Sequence, residues 1–374
     1  MAAVYAEVLR ESEVPLDTNF YALGGDSLLA AQLVTALREQ VPAAEEVFFD
    51  ELLRELLGGA SVRELSAFLQ QGQEVSEEAG SGEELVLAGA ADELGNPVHV
   101  LIGDGLGGHA ERLAEGLGTR DPVVVVPAVR VAEGQTLDDV AQEIVARVRS
   151  LSPGPFHPVG AHSGGVLALA VAQQLTELGA PVCGLTVLSS YPLPATVRDD
   201  VLEEALLCLD RGQDPAALGY PEVPALGAAL AVLAPAGDVP PGALAALADR
   251  SEPELRAAGE PAAVLGALPR RDRIAKLAGA LGLGADELSE RLVRGRAFAA
   301  CVAAHDPGVY TGEARLLVHE DESPVWPAMA ADMTALWESV CVGGLVRQTV
   351  PGDHFTCREL ITSAVIDLPD EENA

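Results

Sequence analysis

Val159-Gly160-Ala161-His162-Ser163-Gly164-Gly165 is the stretch whose reading decides the fold. Small residues, Ala161 and Gly165, stand two places either side of Ser163 and leave room for a very sharp backbone turn. Before it, the apolar run Phe156-His157-Pro158-Val159 can end in a strand. After it, Val166 to Ala172 reads as a helix with Leu167, Val171 and Leu175 on one face. A strand, a tight turn at a serine and a helix make a nucleophile elbow. The turn lifts the hydroxyl out of the sheet. The helix N-terminus then aims backbone N–H groups at an oxygen that gains negative charge during acyl transfer. Ala161 in place of glycine is a mild departure that fits sterically. The same residues also suit an ordinary strand-to-helix connection, so the rest of the chain has to decide.

Outward from this stretch, strands and helices alternate from about residue 85, the pattern of an α/β sheet. Val98–Ile102 reads as a strand running into the glycine-rich loop Gly103 to Gly108, and a helix from His109 to Leu117 follows. Val123–Val126 is a buried strand, Leu137 to Ser150 an amphipathic helix, and Val182 to Leu188 the strand after the elbow. From Ala195 to about Val293 the rhythm breaks into Ala-, Leu- and Pro-rich helical pieces, expected to be an insertion lying over the site as a lid. Ala314–His319 and Leu345–Val350 resume the sheet. The glycines of Gly103–Gly108 lack dinucleotide-fingerprint spacing. They serve either as a packing turn or to offer an N–H to an oxyanion.

A serine at an elbow needs a base within hydrogen-bond reach, usually histidine in the loop after the last strand. His354, in Gly352-Asp353-His354, holds that place. His99 and His319 lie in strands and read as core groups. His109 begins a helix, while His157 and His305 sit beside prolines or turns. His162, next to the expected nucleophile, is expected to shape the pocket.

Residues 1 to about 71 read as a small helical unit with segments at Ala3–Leu9, Leu29–Gln40, Phe48–Leu57 and Ser61–Gln71. Leu29, Leu33 and Leu37 mark one helix face. Ser27 starts that helix behind Gly24-Gly25-Asp26. It is either an N-cap or a site where a phosphodiester would meet the positive end of the helix dipole. Gln71 to Glu84 is acidic and glycine-containing and reads as a flexible linker.

The formal charge is −34, which repels nucleic acid and anionic membrane surfaces and argues against either as partner. No apolar run is long enough to span a bilayer and no signal peptide opens the chain. Five scattered cysteines with no CxxC or His/Cys cluster suggest buried thiols in a reducing cytoplasm and no metal.

Leu23-Gly24-Gly25-Asp26-Ser27-Leu28, with Asp17 and Phe20 before it, resembles the attachment motif of peptidyl carrier proteins in nonribosomal peptide synthetases. The resemblance implies a four-helix carrier over 1–71, a linker over 72–95, and 4'-phosphopantetheine bound covalently to Ser27. Residues from about 96 to 360 resemble the thioesterase domain that ends many such synthetases. The likeness rests on the glycine-rich loop, Ala161-His162-Ser163-Gly164-Gly165, Leu188-Ser189-Ser190-Tyr191-Pro192, Tyr310-Thr311-Gly312 and Gly352-Asp353-His354. It implies an α/β-hydrolase fold over 96–374 with a helical lid near 195–293. It also implies transfer of a peptide from Ser27 to Ser163, His354 as base, and oxyanion N–H groups from Leu106 and Gly164. Upstream synthetase modules and a phosphopantetheinyl transferase would be the partners.

One departure stands out. Where the family places an aspartate after this strand, the chain has Ser189. The acid is therefore expected after the next strand, in Glu320-Asp321-Glu322, with Asp321 chosen and Glu320 or Glu322 as alternatives. Asp199 and Asp200 are further candidates. The cluster Arg270, Arg271, Arg273 and Lys276 either docks the acidic carrier, binds an anionic part of the substrate, or lies solvated on the lid. The alternatives to peptide release are a carrier and docking module with a weak thioesterase, an editing thioesterase, and polyketide-type release.

Overall fold

The computed structural model describes residues 2–9, 14–16, 18–24, 27–41, 52, 56, 60–63, 65–66, 86–88, 96–108, 110, 113–114, 117, 121–132, 134–191 and 195–357. The chain divides into two compact units, Met1–Gly82 and Glu83–Ala374.

In the first unit, helix α1 (Ala2–Leu9) and helix α2 (Ser27–Gln40) flank a 3-10 turn at Phe20–Leu23. The Asn19 side chain accepts the Tyr21 N–H at 2.9 Å, and Gly24 closes the turn in the left-handed region at φ 85°. Ala30, Leu33, Val34 and Leu37 of α2 are buried at helical spacing against Tyr5 and Phe20, whereas Leu29 is half-buried. Leu33 and Leu37 of the face read from the sequence are thus buried, and the stripe widens to Ala30 and Val34. Gly25, Asp26 and Asp17 of the motif lie outside the described residues, as do most residues of the two later helical segments.

The second unit is built on a seven-stranded sheet. Its strands are β1 (Val86–Ala88), β2 (Val98–Ile102), β3 (Val123–Val126), β4 (Phe156–Ala161), β5 (Leu185–Leu188), β8 (Ala314–His319) and β9 (Leu345–Val350). Their order is β1-β3-β2-β4-β5-β8-β9, parallel throughout except for β1. Two short strands, β6 (Thr196–Val197) and β7 (Asp238–Val239), pair separately. β1 corrects the linker reading over 72–95: Val86–Ala88 pairs antiparallel with β3. The apolar Val86-Leu87 can take an open sheet edge, which an acidic tether cannot.

β2 to β5 are buried along their whole length, as expected of parallel strands covered on both faces. Alternate residues serve opposite sides. Val98, Val100, Ile102, Val124 and Val126 pack with helices α3 (Leu137–Leu151) and α4 (Gly164–Glu177). Leu101, Val123 and Val125 pack with Ala110, Leu113 and Leu117. α3 starts in a capping box, Thr136 with Asp139. From β2 the chain steps to β3 on one side, then crosses to β4 on the other. This switch point opens a crevice beyond the carboxyl ends of β2 and β4, the usual ligand position in such sheets.

Between β5 and β8 stands a helical insertion with its own core. It contains α5 (Asp200–Asp210), α6 (Val223–Leu233), α7 (Pro253–Gly266), α8 (Arg270–Leu281) and α9 (Ala285–Ala304). It extends past the expected end near 293, because α9 continues unbroken to Ala304. Helix α10 (Met329–Val340) follows β8. Arg273 of α8 points inward: its guanidinium grips the fully buried Glu204 carboxylate with Nε–Oε2 2.9 Å and Nη2–Oε1 3.1 Å. The Tyr220 hydroxyl donates to the same carboxylate at 3.0 Å. One of the basic residues read as a surface cluster is therefore a core clasp of the insertion.

Candidate functional site

β4 ends at Ala161, and His162 donates its N–H to the Leu188 carbonyl at 3.0 Å, as a last rung of the ladder. There the chain turns. His162 has φ 52°, in the left-handed region that disfavours a side chain, and Gly165 N–H returns to the His162 carbonyl at 3.1 Å. Ser163 is already helical, at φ −64° and ψ −25°. The residue at the apex of the turn is thus His162, which corrects the expectation for Ser163. Packing fixes this frame. A Cβ on Gly160 would stand 2.4 Å from the Gly164 carbonyl oxygen, and one on Gly164 would stand 2.8 Å from that of Ile102. The sequence holds two overlapping small-residue frames, Ala161/Gly165 about Ser163 and Gly160/Gly164 about His162. The second is occupied because Gly160 and Gly164 meet backbone, which cannot give way. The resulting strain is held by its surroundings, as at many functional turns.

His354 arrives on the loop after β9. Asp353 builds that loop by accepting the Phe355 and Thr356 N–H groups at 2.8 and 3.0 Å. The His354 ring stacks on His162 with centroids 4.1 Å apart and planes 23° apart. His162 Nε2 lies 2.9 Å from the His354 carbonyl oxygen, so Nε2 carries the proton and donates it. Its Nδ1 stands 3.9 Å from Asp210 Oδ1, on α5. Among the described contacts, none is a hydrogen bond between Ser163 and His354.

Ser189 replaces the expected acid. Its Oγ is 2.8 Å from His354 Nδ1 and 2.9 Å from His319 Nδ1. Like His162 it stands at a strand end with positive φ, 43°. Asp321, Glu320 and Glu322 are exposed, and none supplies the partner of His354 Nδ1. Asp321 instead gives its backbone N–H to the Gly352 carbonyl at 3.0 Å, tying the two loops together. Burial pushes the His319 pKa down, opposed by the Asp353 and Asp321 charges. Asp199 is an N-cap, accepting from Val201 and Leu202. Asp200 pairs with Arg296.

The oxyanion expectation divides. Leu106 N–H is committed to the Asp104 carboxylate at 2.9 Å, with Gly107 N–H beside it at 3.1 Å, so Leu106 cannot serve as expected. Gly164 sits in the first turn of α4, where N–H groups lack intrahelical partners.

A cavity of about 210 Å³ lies between these loops and the insertion, lined by His162, Ser163, His354 and Leu106 with Leu206, Leu230, Phe298 and Val302. Apolar walls with a few convergent polar groups suit an acyl chain. Sequence reasoning missed His319, Asp210 and Asp104 as site residues. Ser189 was visible as a departure but its bond to His354 was not.

The architecture defines a helical carrier-like unit followed by a hydrolase-type α/β unit. Residues 1–69 match the phosphopantetheine attachment site family. The chain is 30% identical over 414 residues to pyochelin synthetase PchF of Pseudomonas aeruginosa, covering 99% of this chain and 22% of that protein. It is also 31% identical over 227 residues to a dimodular nonribosomal peptide synthase of Bacillus subtilis, covering 58% and 9%. A solved four-domain nonribosomal peptide synthetase, bound to AMP and glycine, superposes with TM-score 0.50 at 17% identity. That match covers 98% of this chain and 25% of the other, and it speaks to the fold. The chain spans about a fifth of the length of the pyochelin synthetase it matches. Over nearly its whole length the chain is therefore similar to one part of a synthetase, with the phosphopantetheine attachment family matched in its first unit. 4'-Phosphopantetheine is the covalent cofactor of its carrier domain. Ser27 is the first residue of the 14-residue helix α2, whose N-terminal end can meet an anion.

Proposed function

We propose that this chain is the carrier-plus-release end of a synthetase, with a peptide held as a thioester on an arm at Ser27 and released in the α/β unit. The observation that carries the reading is the delivery of His354 to the turn after β4. Its Nδ1 is engaged by Ser189, so Nε2 is the nitrogen for proton exchange. The Ser163 hydroxyl, on the same cavity wall, attacks the thioester carbonyl and gives its proton to His354 Nε2. The pantetheine thiolate leaves with that proton as a thiol. Water or an internal nucleophile then cleaves the ester, His354 acting first as base and then as acid. Gly164 N–H faces the oxyanion, and the insertion acts as the lid. Residues 1–71 are the carrier. Upstream modules, a phosphopantetheinyl transferase and a cytoplasmic setting complete the reading.

A second reading, a carrier and docking module whose thioesterase is slow, is favoured by two observations. The turn apex bears the His162 imidazole instead of a hydroxyl, and a neutral hydroxyl, Ser189, replaces the carboxylate that would stabilise a histidinium.

The test loads Ser27 with peptidyl-pantetheine and follows intact mass with time, beside Ser163→Ala and His354→Ala. Release that stops in both variants supports the first reading. Loading without release in all three proteins selects the second. Failure to load removes the carrier role of Ser27.

A further inference from the structure

The Ser189 hydroxyl lies between two histidine Nδ1 atoms, at 2.8 Å from His354 and 2.9 Å from His319. A hydroxyl has one proton. It can donate to one of these nitrogens and must accept from the other. The two rings therefore cannot choose tautomers independently. If His319 Nδ1 carries a proton, it donates to Ser189, Ser189 donates to His354 Nδ1, and the His354 proton sits on Nε2. If His319 Nδ1 is bare, Ser189 donates to it and accepts from His354 Nδ1–H, which turns His354 Nε2 into a base.

Burial decides which arrangement rests. His319 is 2% exposed, and its Nε2 is buried with no hydrogen-bond partner. Placing the proton on Nε2 would orphan a buried N–H, whereas placing it on Nδ1 leaves only a bare lone pair there. The groups facing His319 are Ser189 at the end of β5, His354 and Asp353 on the loop after β9, and Asp321 after β8. A positive charge on His319 would favour the same Nδ1–H arrangement.

We propose that His319 is a positioning residue that sets the tautomer of His354 through Ser189, and that at rest it holds His354 with its proton on Nε2, as a donor. The resting centre is then switched away from base catalysis, and turnover requires the hydroxyl to reverse. In place of a fixed carboxylate, the chain carries a reversible three-member relay.

This inference deepens the release reading and rests on it for its consequence, but its test does not need turnover. In full chain labelled with nitrogen-15 histidine, long-range proton–nitrogen spectra report which ring nitrogen is protonated. The expected pattern is His319 Nδ1–H with His354 Nε2–H in the unaltered protein. His319→Phe should reverse His354 to Nδ1–H, since Ser189 is then able to accept from it. Ser189→Asp should do the same. Ser189→Ala removes the link, and the His354 tautomer should then stop responding to His319→Phe. A His354 tautomer that is identical in all these proteins overturns the proposal. So does Nδ1–H on His354 in the unaltered protein. Absence of release in every protein would count against the release reading alone, because the spectra report the relay separately.

Discussion

Two polar clusters of the α/β unit are built on opposite principles. In the insertion, Glu204 is fully buried, yet Arg273 and Tyr220 fill its lone pairs, charge against charge. At the strand ends, His162, Ser189, His319 and His354 meet through hydrogen bonds to a hydroxyl and a backbone carbonyl. Two members stand at positive φ, and the Ser190 Oγ and His319 Nε2 atoms nearby are buried without partners. A fully satisfied cluster holds one arrangement. A strained and incompletely satisfied one costs stability and keeps alternatives open, which is how folds carry function. The first cluster clasps the insertion. The second, through His162 and His354, lines the cavity in which the proposed release chemistry is placed.

The largest expected effect comes from giving the strand-end cluster the hydroxyl and carboxylate it lacks. His162→Ser combined with Ser189→Asp should raise the rate of acyl release by about 10²–10⁴-fold, measured by intact mass on the loaded protein. An unchanged rate would mean that apex and acid do not limit this centre, and the contrast between the clusters would lose its functional half.

Next comes the clasp. Glu204→Ala removes the bidentate partner of the buried Arg273 guanidinium, leaving it Asp200 at 4.0 Å and two backbone carbonyls, and should lower unfolding stability by about 3 kcal/mol in denaturant titration. His354→Ala, in the other cluster, should cost far less stability while stopping release. Equal losses of stability would erase the distinction.

A third pair of groups sharpens it on the acid side. His99 Nδ1 and His157 Nδ1 lie 2.9 Å apart beneath the sheet surface, and Thr186 holds His157 Nε2 at 2.8 Å. Burial, followed by the His99 and Arg315 charges, pushes the His157 pKa down to about 3. The unfolded chain binds a proton there near pH 6.5 and the folded chain does not. Stability from this group is therefore full above about pH 6.5 and falls as pH drops toward 3, by about 1.4 kcal/mol per unit. Unfolding measured at pH 7.5, 5.5 and 4.5 should show this slope, and His157→Gln should flatten it. Parallel curves for the two proteins would contradict the assignment.

Much of the architecture was legible. Val98–Ile102, Val123–Val126 and Ala314–His319 match their strands residue for residue, because runs rich in β-branched and aliphatic residues suit buried strands, and Leu345–Val350 matches too although most of this edge strand is exposed. His354 could be placed by its position after the last strand. The apex was not legible. Gly160/Gly164 and Ala161/Gly165 are equally good small-residue frames by spacing, and only the closeness of the Ile102 and Gly164 carbonyls separates them. The partner of His354 was hidden for a related reason. Asp321 and Ser189 both follow strands, and only the backbone at φ 43° brings the Ser189 hydroxyl onto the ring.

The sequence by itself determined the alternation of elements, the order of carrier before hydrolase-type unit, and the set of residues that could do chemistry. Periodicity and motif spacing are local properties, and a chain cannot conceal them. Which of those residues meet was decided by the tertiary structure alone. Hydrogen bonds between Ser189, His319 and His354 join positions up to 165 residues apart. Their geometry depends on how seven strands stack in register and where close-packed backbone refuses a Cβ.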